Sequence, residues 1–220
     1  TDALSVVKHG LNWIFRGRGP GATPIGHAVV FARTREGLAD GDVQITFTPI
    51  GYNTDGDGPM LLPFPAIVLA VNVCRPLSRG AVRLRSADPQ ALPVIDHPMF
   101  GAPEDLDTLR RGARMARDIL AAPAFANTYE REIKPGPDTR SDADWNTFLR
   151  SKSMRFSHPA GTCRMGRDEH AVVDETLRVH GVSGLFVADA AIMPTLPSAN
   201  TNAASIMIGE KASDHIKAYL

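Results

Sequence analysis

The sequence predicts an α+β chain, and three observations carry that prediction. Segments with strand character, rich in β-branched residues, dominate the first half. Apart from one helix at the N-terminus, the stretches with helical spacing come later. Nowhere do strands and helices alternate in the regular way that builds a self-contained doubly wound sheet.

In "DALSVVKHGLNWIF" the apolar residues Leu4, Val7, Leu11 and Ile14 recur at helical spacing, with Asp2 placed to cap the helix. "GRGPGATP" ends it, because glycine and proline dominate there. "IGHAVVFAR" and "DVQITFTP" read as strands with a polar turn between them. The segment 51–63 carries too much glycine and acid for a regular element, and its part 51–58, "GYNTDGDG", reads as an exposed disordered connection or, alternatively, a glycine-hinged loop over a pocket. "AIVLAVNVCR" and "GAVRLRS" predict a hairpin turning through "PLSRG", followed by a proline-bounded extended crossing, "ADPQALPVIDHPMF". A helix is predicted from Glu104 to about Ala121, where Leu106, Leu109, Ala113, Ala116 and Ile119 cover one face. A shorter helix over 143–149 follows the polar loop "KPGPDTRSD". An irregular stretch then runs to Gly166, followed by a short extended "AVVD", a compact strand "GLFVAD" and a last helix over 201–217.

Composition removes several functional classes. Lys plus Arg equals Asp plus Glu, 24 each, so no global field points to nucleic acid or anionic lipid. The basic cluster Arg75, Arg79, Arg83 and Arg85 falls on the predicted hairpin, where alternation makes it a solvated face without a stacked aromatic series. The two cysteines, Cys74 and Cys163, build no disulfide framework and read as thiols in a reducing compartment. No apolar run is long enough to span a membrane, and the N-terminus lacks the regions of a signal peptide, so a cytoplasmic protein is expected. The sequence begins at Thr1 rather than methionine, and an upstream segment is expected with it.

One segment is conspicuous: "HPAGTCRMG", residues 158–166. Proline after His158 disfavours helix there and puts the histidine on extended or loop backbone. A zinc site needs three or four ligands at suitable spacing, and His158, Cys163, His170 and His180 form no such pattern. Cys163 and His158 could form a nucleophilic pair, or Cys163 could pack inward. Gly161 and Gly166 favour close backbone approach, and Arg164 could hold the loop by an ion pair. These residues alone do not choose a reaction.

The later sequence does. "VVDETLRVHGVSGLFVADAAIMPTLPSANTNAASIMIGEKASDHI", together with "HPAGTCRMG", resembles the C-terminal signature of the glucose–methanol–choline oxidoreductases. "RPLSRGAVRLRSADPQALPVIDHPMF" is similar to that family's middle region. The resemblance implies a substrate-binding domain with an antiparallel sheet flanked by helices, plus the C-terminal strand and helix of a Rossmann-like FAD-binding domain. On that pattern residues 1–156 are mainly the substrate domain, 157–183 an active-site and cofactor-facing segment, and 184–220 the last part of the FAD-binding domain. It implies an alcohol substrate, oxidised by hydride transfer to FAD, and no metal. His158 stands at the family's catalytic histidine, and Asn200 at its second active-site position, which is histidine or asparagine. Asp189, with Ala190 after it, matches an acid that approaches the ribityl or pyrophosphate part of FAD. Thr201 and Asn202 open the helix that lies near the flavin pyrimidine ring.

The family begins with a Rossmann-like strand, a GxGxxG turn and a helix, none of which this sequence contains. An N-terminal FAD-binding half is therefore the expected partner, and this chain alone is not expected to hold FAD tightly. Without that half the chain would be a catalytically silent substrate-recognition or structural fragment. Ile206, Met207 and Ile208 cluster for burial against a layer the sequence does not encode, which leaves a homo-oligomer open.

Overall fold

A computed structural model describes residues 3–53 and 60–220. Val43 and Ile45 alternate inward on a strand whose β-branched residues suit a sheet covered on one face. This strand, β2 (Val43–Thr48), is the centre of a three-stranded sheet between β1 (Ala28–Ala32) and β5 (Val68–Val73). β1 and β2 are antiparallel, in a register running from Ala28↔Phe47 to Ala32↔Val43. Helix α2 (Pro103–Leu120) covers the sheet, placing Ala116 with Val43 and Ile45, and Met115, Ile119, Leu69 and Val71 pack against this cluster. Gly112 allows the close approach, since a Cβ there would meet Val71 Cγ1 at 2.8 Å and Val43 Cγ1 at 2.9 Å.

The chain divides into two units, one of Thr1–Asn72 with Thr108–Met154 and one of Val73–Asp107 with Arg155–Leu220. The first also holds α1 (Ala3–Arg16), whose apolar residues Leu4, Ile14 and Phe15 are exposed. The proposed Asp2 cap lies outside the described residues. The first unit further holds a two-residue ladder, β3 (Tyr52–Asn53) with β4 (Met60–Leu61), paired Tyr52↔Leu61 and Asn53↔Met60. This corrects the expectation of no regular element in 51–63; the rest of the expected connection, 54–58, lies outside the described residues. α3 (Asp142–Lys152) begins at a reciprocal capping box between Ser141 and Asp144. It buries Trp145, 2% exposed, under the Arg117 guanidinium, 4.4 Å from the ring centre.

In the second unit, β6 (Ala81–Arg83) pairs antiparallel with β7 (Val94–Asp96). The predicted hairpin of "AIVLAVNVCR" with "GAVRLRS" does not form, because β5 joins β2 and β6 joins β7. The cause is Asp105, in the first turn of α2. Its carboxylate accepts from the Leu77 and Ser78 amides at 2.7 and 2.9 Å and from the Ser78 hydroxyl, which itself accepts from the Ala102 amide. These bonds tie the would-be turn to the helix start. The extended crossing "ADPQALPVIDHPMF" supplies β7 as the partner instead. Asp105 is 5% exposed, so Asp105→Ala removes the hydrogen bonds of a buried carboxylate and is expected to destabilise the chain by about 1–3 kcal/mol, read from urea unfolding.

The second unit's core joins Val173, Leu177, Ile192 and Met193 to Ile208 and Ala212 of α4 (Asn202–Tyr219). Of the three clustered residues only Ile208 turns inward, while Ile206 and Met207 are exposed. "GLFVAD" is not a strand. It makes one antiparallel bridge, Arg178↔Phe186, because among the described residues the backbone bonded to it is the tight turn around 176–180. Among the described residues no helix is long and apolar enough to cross a membrane.

Candidate active site

His158 sits where regular structure is interrupted on both sides. Ser157 before it adopts φ 56°, a left-handed conformation uncommon for a residue with a side chain, and Pro159 follows. Beyond it the chain docks by three backbone bonds onto the short turn Ala190–Ile192. Gly161 donates to Ala190 O at 3.2 Å, Cys163 to Ala191 O at 2.9 Å and Met165 to Ile192 O at 2.8 Å. Gly161 has φ 86°, and a Cβ there would meet Met193 O at 3.0 Å, so only glycine lies comfortably in this docking.

The platform beneath is held by carboxylates. Asp189 caps the turn, its Oδ1 accepting from the Ala191 amide at 2.7 Å. Burial pushes the Asp174 carboxyl up, but hydrogen bonds from Thr176 and Arg178 outweigh it and hold the group well below the usual carboxylate range. The Arg164 guanidinium does the same for Asp168, as the ion pair expected of Arg164. Each of these ion pairs joins residues four apart within the segment 164–178.

The docking brings together side chains 42 residues apart. The Asn200 Nδ2 amide donates to His158 Nε2 at 3.0 Å. Thr201 Oγ1 lies 3.4 Å from His158 Nδ1, and the Phe156 ring meets the imidazole edge to face at 5.3 Å. Thr201 is buried at the head of α4 but makes no side-chain cap, so no side chain occupies the amides of the helix's first turn among the described residues.

Of the six residues named from the sequence, the structure gathers His158, Asn200 and Thr201 into direct contact. Ala190 joins through its backbone bond to Gly161, and Asp189 holds the turn that receives it. Asn202 is exposed at the first position of α4. Cys163 is not among the ring's partners and bonds through its backbone to Ala191. His170 faces Glu169, and His180 Nε2 faces Gly166 O. Among the described residues no three His, Cys, Asp or Glu side chains converge as metal ligands. Sequence reasoning missed Phe156 and Ser157. An aromatic two residues before a histidine carries no periodic signal, and a positive φ at serine leaves no compositional mark.

Comparison with known proteins identifies the family. Residues 76–209 match the GMC oxidoreductase family model. The chain is 40% identical over 210 residues to an oxygen-dependent choline dehydrogenase of Klebsiella pneumoniae, covering 96% of this chain and 38% of that protein. Among solved structures it is similar to pyridoxine 4-oxidase from Mesorbium loti, with a TM-score of 0.78 and 28% identity over 88% of this chain and 38% of that one. It is also similar to a fungal aryl-alcohol oxidase, with a TM-score of 0.68 and 34% identity over 80% of this chain and 28% of that one. The chain thus spans about two fifths of the length of the curated relatives it matches. With more than half of its residues matched, and with the histidine segment and the α4 start inside the match, the chain belongs to the GMC oxidoreductase family, whose C-terminal region it carries.

Proposed function

We propose that this chain is the C-terminal portion of an FAD-dependent oxidoreductase that converts the CH–OH group of a small alcohol to a carbonyl. The observation that carries the reading is the His158–Asn200 pair, a base and an amide donor meeting at 3.0 Å though 42 residues apart in sequence. The names of the relatives, for choline, pyridoxine and aryl alcohols, support an alcohol as substrate. In this reading 1–156 is mainly the substrate domain, 157–183 the active-site and cofactor-facing segment and 184–220 the C-terminal part of the FAD-binding domain.

The residues present fit one side of a flavin. The first turn of α4 offers Asn202 and uncapped backbone amides, the donors that suit the carbonyl-rich pyrimidine edge. Asp189 is exposed and uses Oδ1 for its own turn, which leaves Oδ2 for a ribityl hydroxyl, with Ala190 beside it. A phosphate-cradling glycine loop must come from an N-terminal half, so that half is the proposed partner and this chain alone holds FAD weakly. Bound FAD supplies the hydride acceptor.

His158 and Asn200 supply the rest. The alcohol O–H gives its proton to His158 Nε2 as the C–H electron pair departs, leaving C=O. Asn200 cannot accept that proton usefully. Its amide, now on Nε2, moves to the substrate oxygen and orients the carbon. Phe156 packs against the imidazole's edge and steadies the ring. Anaerobic mixing of the complete flavoprotein with choline, pyridoxine, benzyl alcohol and simple primary alcohols tests the reading. The expected result is loss of oxidised-flavin absorbance with at least one of them and one carbonyl product per flavin; no reduction by any alcohol rejects it.

A further inference from the structure

We infer that His97 is a positioning residue for His158: its ring clamps Arg155 and so fixes the segment that carries the base into place. The need for a clamp is visible in the backbone. Helix α3 closes with the Ser153 amide bonded to Leu149 O, and the next backbone bond along the chain comes at Gly161. Among the described residues no amide or carbonyl of 154–160 bonds to other backbone. Met154 and Phe156 are 60% and 49% exposed and Ser157 has φ 56°, so neither packing nor regular structure holds this stretch.

Arg155 supplies the link. Its Nη1 lies 2.9 Å from Nε2 of His97, 58 residues earlier in the sequence. A guanidinium carries donors alone, so the bond has one direction: Arg155 gives the hydrogen and Nε2 the lone pair. Among the described residues neither side chain has another hydrogen-bond or ion-pair partner. His97 is itself anchored. It follows Asp96, the last residue of the β6–β7 ladder, and precedes Pro98, which favours extended backbone before it. Gly80 packs so closely here that a Cβ on it would meet His97 Cα at 3.0 Å. The clamp thus ties a loose segment to the end of a fixed ladder, one residue before the Phe156 ring that meets the imidazole of His158. Both side chains of the clamp are exposed, so replacing either leaves the core intact.

The consequence for catalysis rests on the proposed alcohol oxidation with His158 as base. Released from His97, Arg155 lets Phe156 leave the imidazole, and fewer rings stand in the orientation that takes the alcohol proton. One exposed hydrogen bond changes such a ratio roughly twofold to fivefold.

The test separates the acceptor atom from the bulk of the ring. His97→Gln places its Oε1 where Nε2 stands, His97→Asn keeps an acceptor too short to reach, and His97→Leu keeps bulk alone. In the full chain labelled with ¹³C-histidine, the His158 ring shifts are assigned by their loss in His158→Asn. Phe156→Leu gives their value without the aromatic neighbour. His97→Asn and His97→Leu are expected to move the His158 shifts toward that value, and His97→Gln to keep them near the parent. In the complete flavoprotein kcat is expected to fall roughly twofold to fivefold in the first two, with KM little changed, and to be kept by His97→Gln. Unchanged His158 shifts in His97→Asn and His97→Leu overturn the proposal, as does an equal displacement in His97→Gln. Arg155→Met removes the donor and is expected to reproduce His97→Leu; parental shifts there overturn the clamp. Displaced shifts with parental kcat overturn the positioning role. Displaced shifts in a protein that no alcohol reduces support the clamp and reject only the reaction.

Discussion

His158→Ala in the complete flavoprotein is expected to slow flavin reduction by alcohols by about 10²–10⁴, the range for removing a positioned base. The size follows from what the substitution takes away. The alcohol must lose its hydroxyl proton as its C–H pair leaves, and among the described residues the side-chain polar groups touching the imidazole are Asn200 and Thr201. An amide and a neutral hydroxyl are both poor bases near neutral pH, so neither replaces the imidazole. Water entering the space left by the ring could accept the proton, but without fixed geometry, which sets the floor of the residual rate. Stopped-flow reduction under anaerobic conditions measures the step without the reoxidation that follows. A variant reduced as fast as the parent by several alcohols would remove His158 from the role of base. His158→Gln separates chemistry from packing, because it keeps a polar side chain beside Phe156 and still lacks a basic nitrogen.

How much of this was legible in the sequence follows from the range of the forces involved. The helices were legible, because caps, glycine stops and apolar spacing are local: the amphipathic run from Glu104 predicted α2, and the polar loop before residue 143 predicted α3. Strand pairing was not, because it depends on which backbone arrives alongside. β5 and β6 are neighbours in sequence, yet Asp105 holds the link between them, and each finds another partner. "GLFVAD" has strand composition and still makes a single bridge, since a strand requires neighbours that these residues alone do not specify. At the site, the residue types of His158 and Asn200 stood out only through family resemblance, and their contact at 3.0 Å depends on the docking of 161–165 onto 190–192. The hydroxyl of Thr201 read as an ordinary helix start, and its turn toward the ring is a tertiary choice that no local pattern encodes.

That docking gives the second large effect: Gly161→Val is expected to destabilise the chain by about 2–4 kcal/mol and to slow flavin reduction roughly a hundredfold. Two costs coincide at this position. The backbone has φ 86°, which a β-branched residue adopts only with strain, and the first side-chain carbon would stand 3.0 Å from Met193 O. Relief of both requires the 161–165 backbone to move off the Ala190–Ile192 turn, breaking bonds of 3.2, 2.9 and 2.8 Å. His158 is three residues from Gly161 and bonded to Asn200, which follows the Ala190–Ile192 turn in sequence, so the movement separates base from amide donor. A misplacement of about 1 Å in a catalytic group is enough for a loss of this order. Gly184→Ala is the control, with a similar φ of 73° but nothing within 4 Å of the added carbon. It is expected to lose about 1 kcal/mol of stability and leave the rate unchanged. Urea unfolding and anaerobic flavin reduction, measured on both variants, decide the matter. If Gly161→Val keeps the parental rate, the loop's register does not position His158, and the contact with Asn200 must be maintained from the α4 side alone.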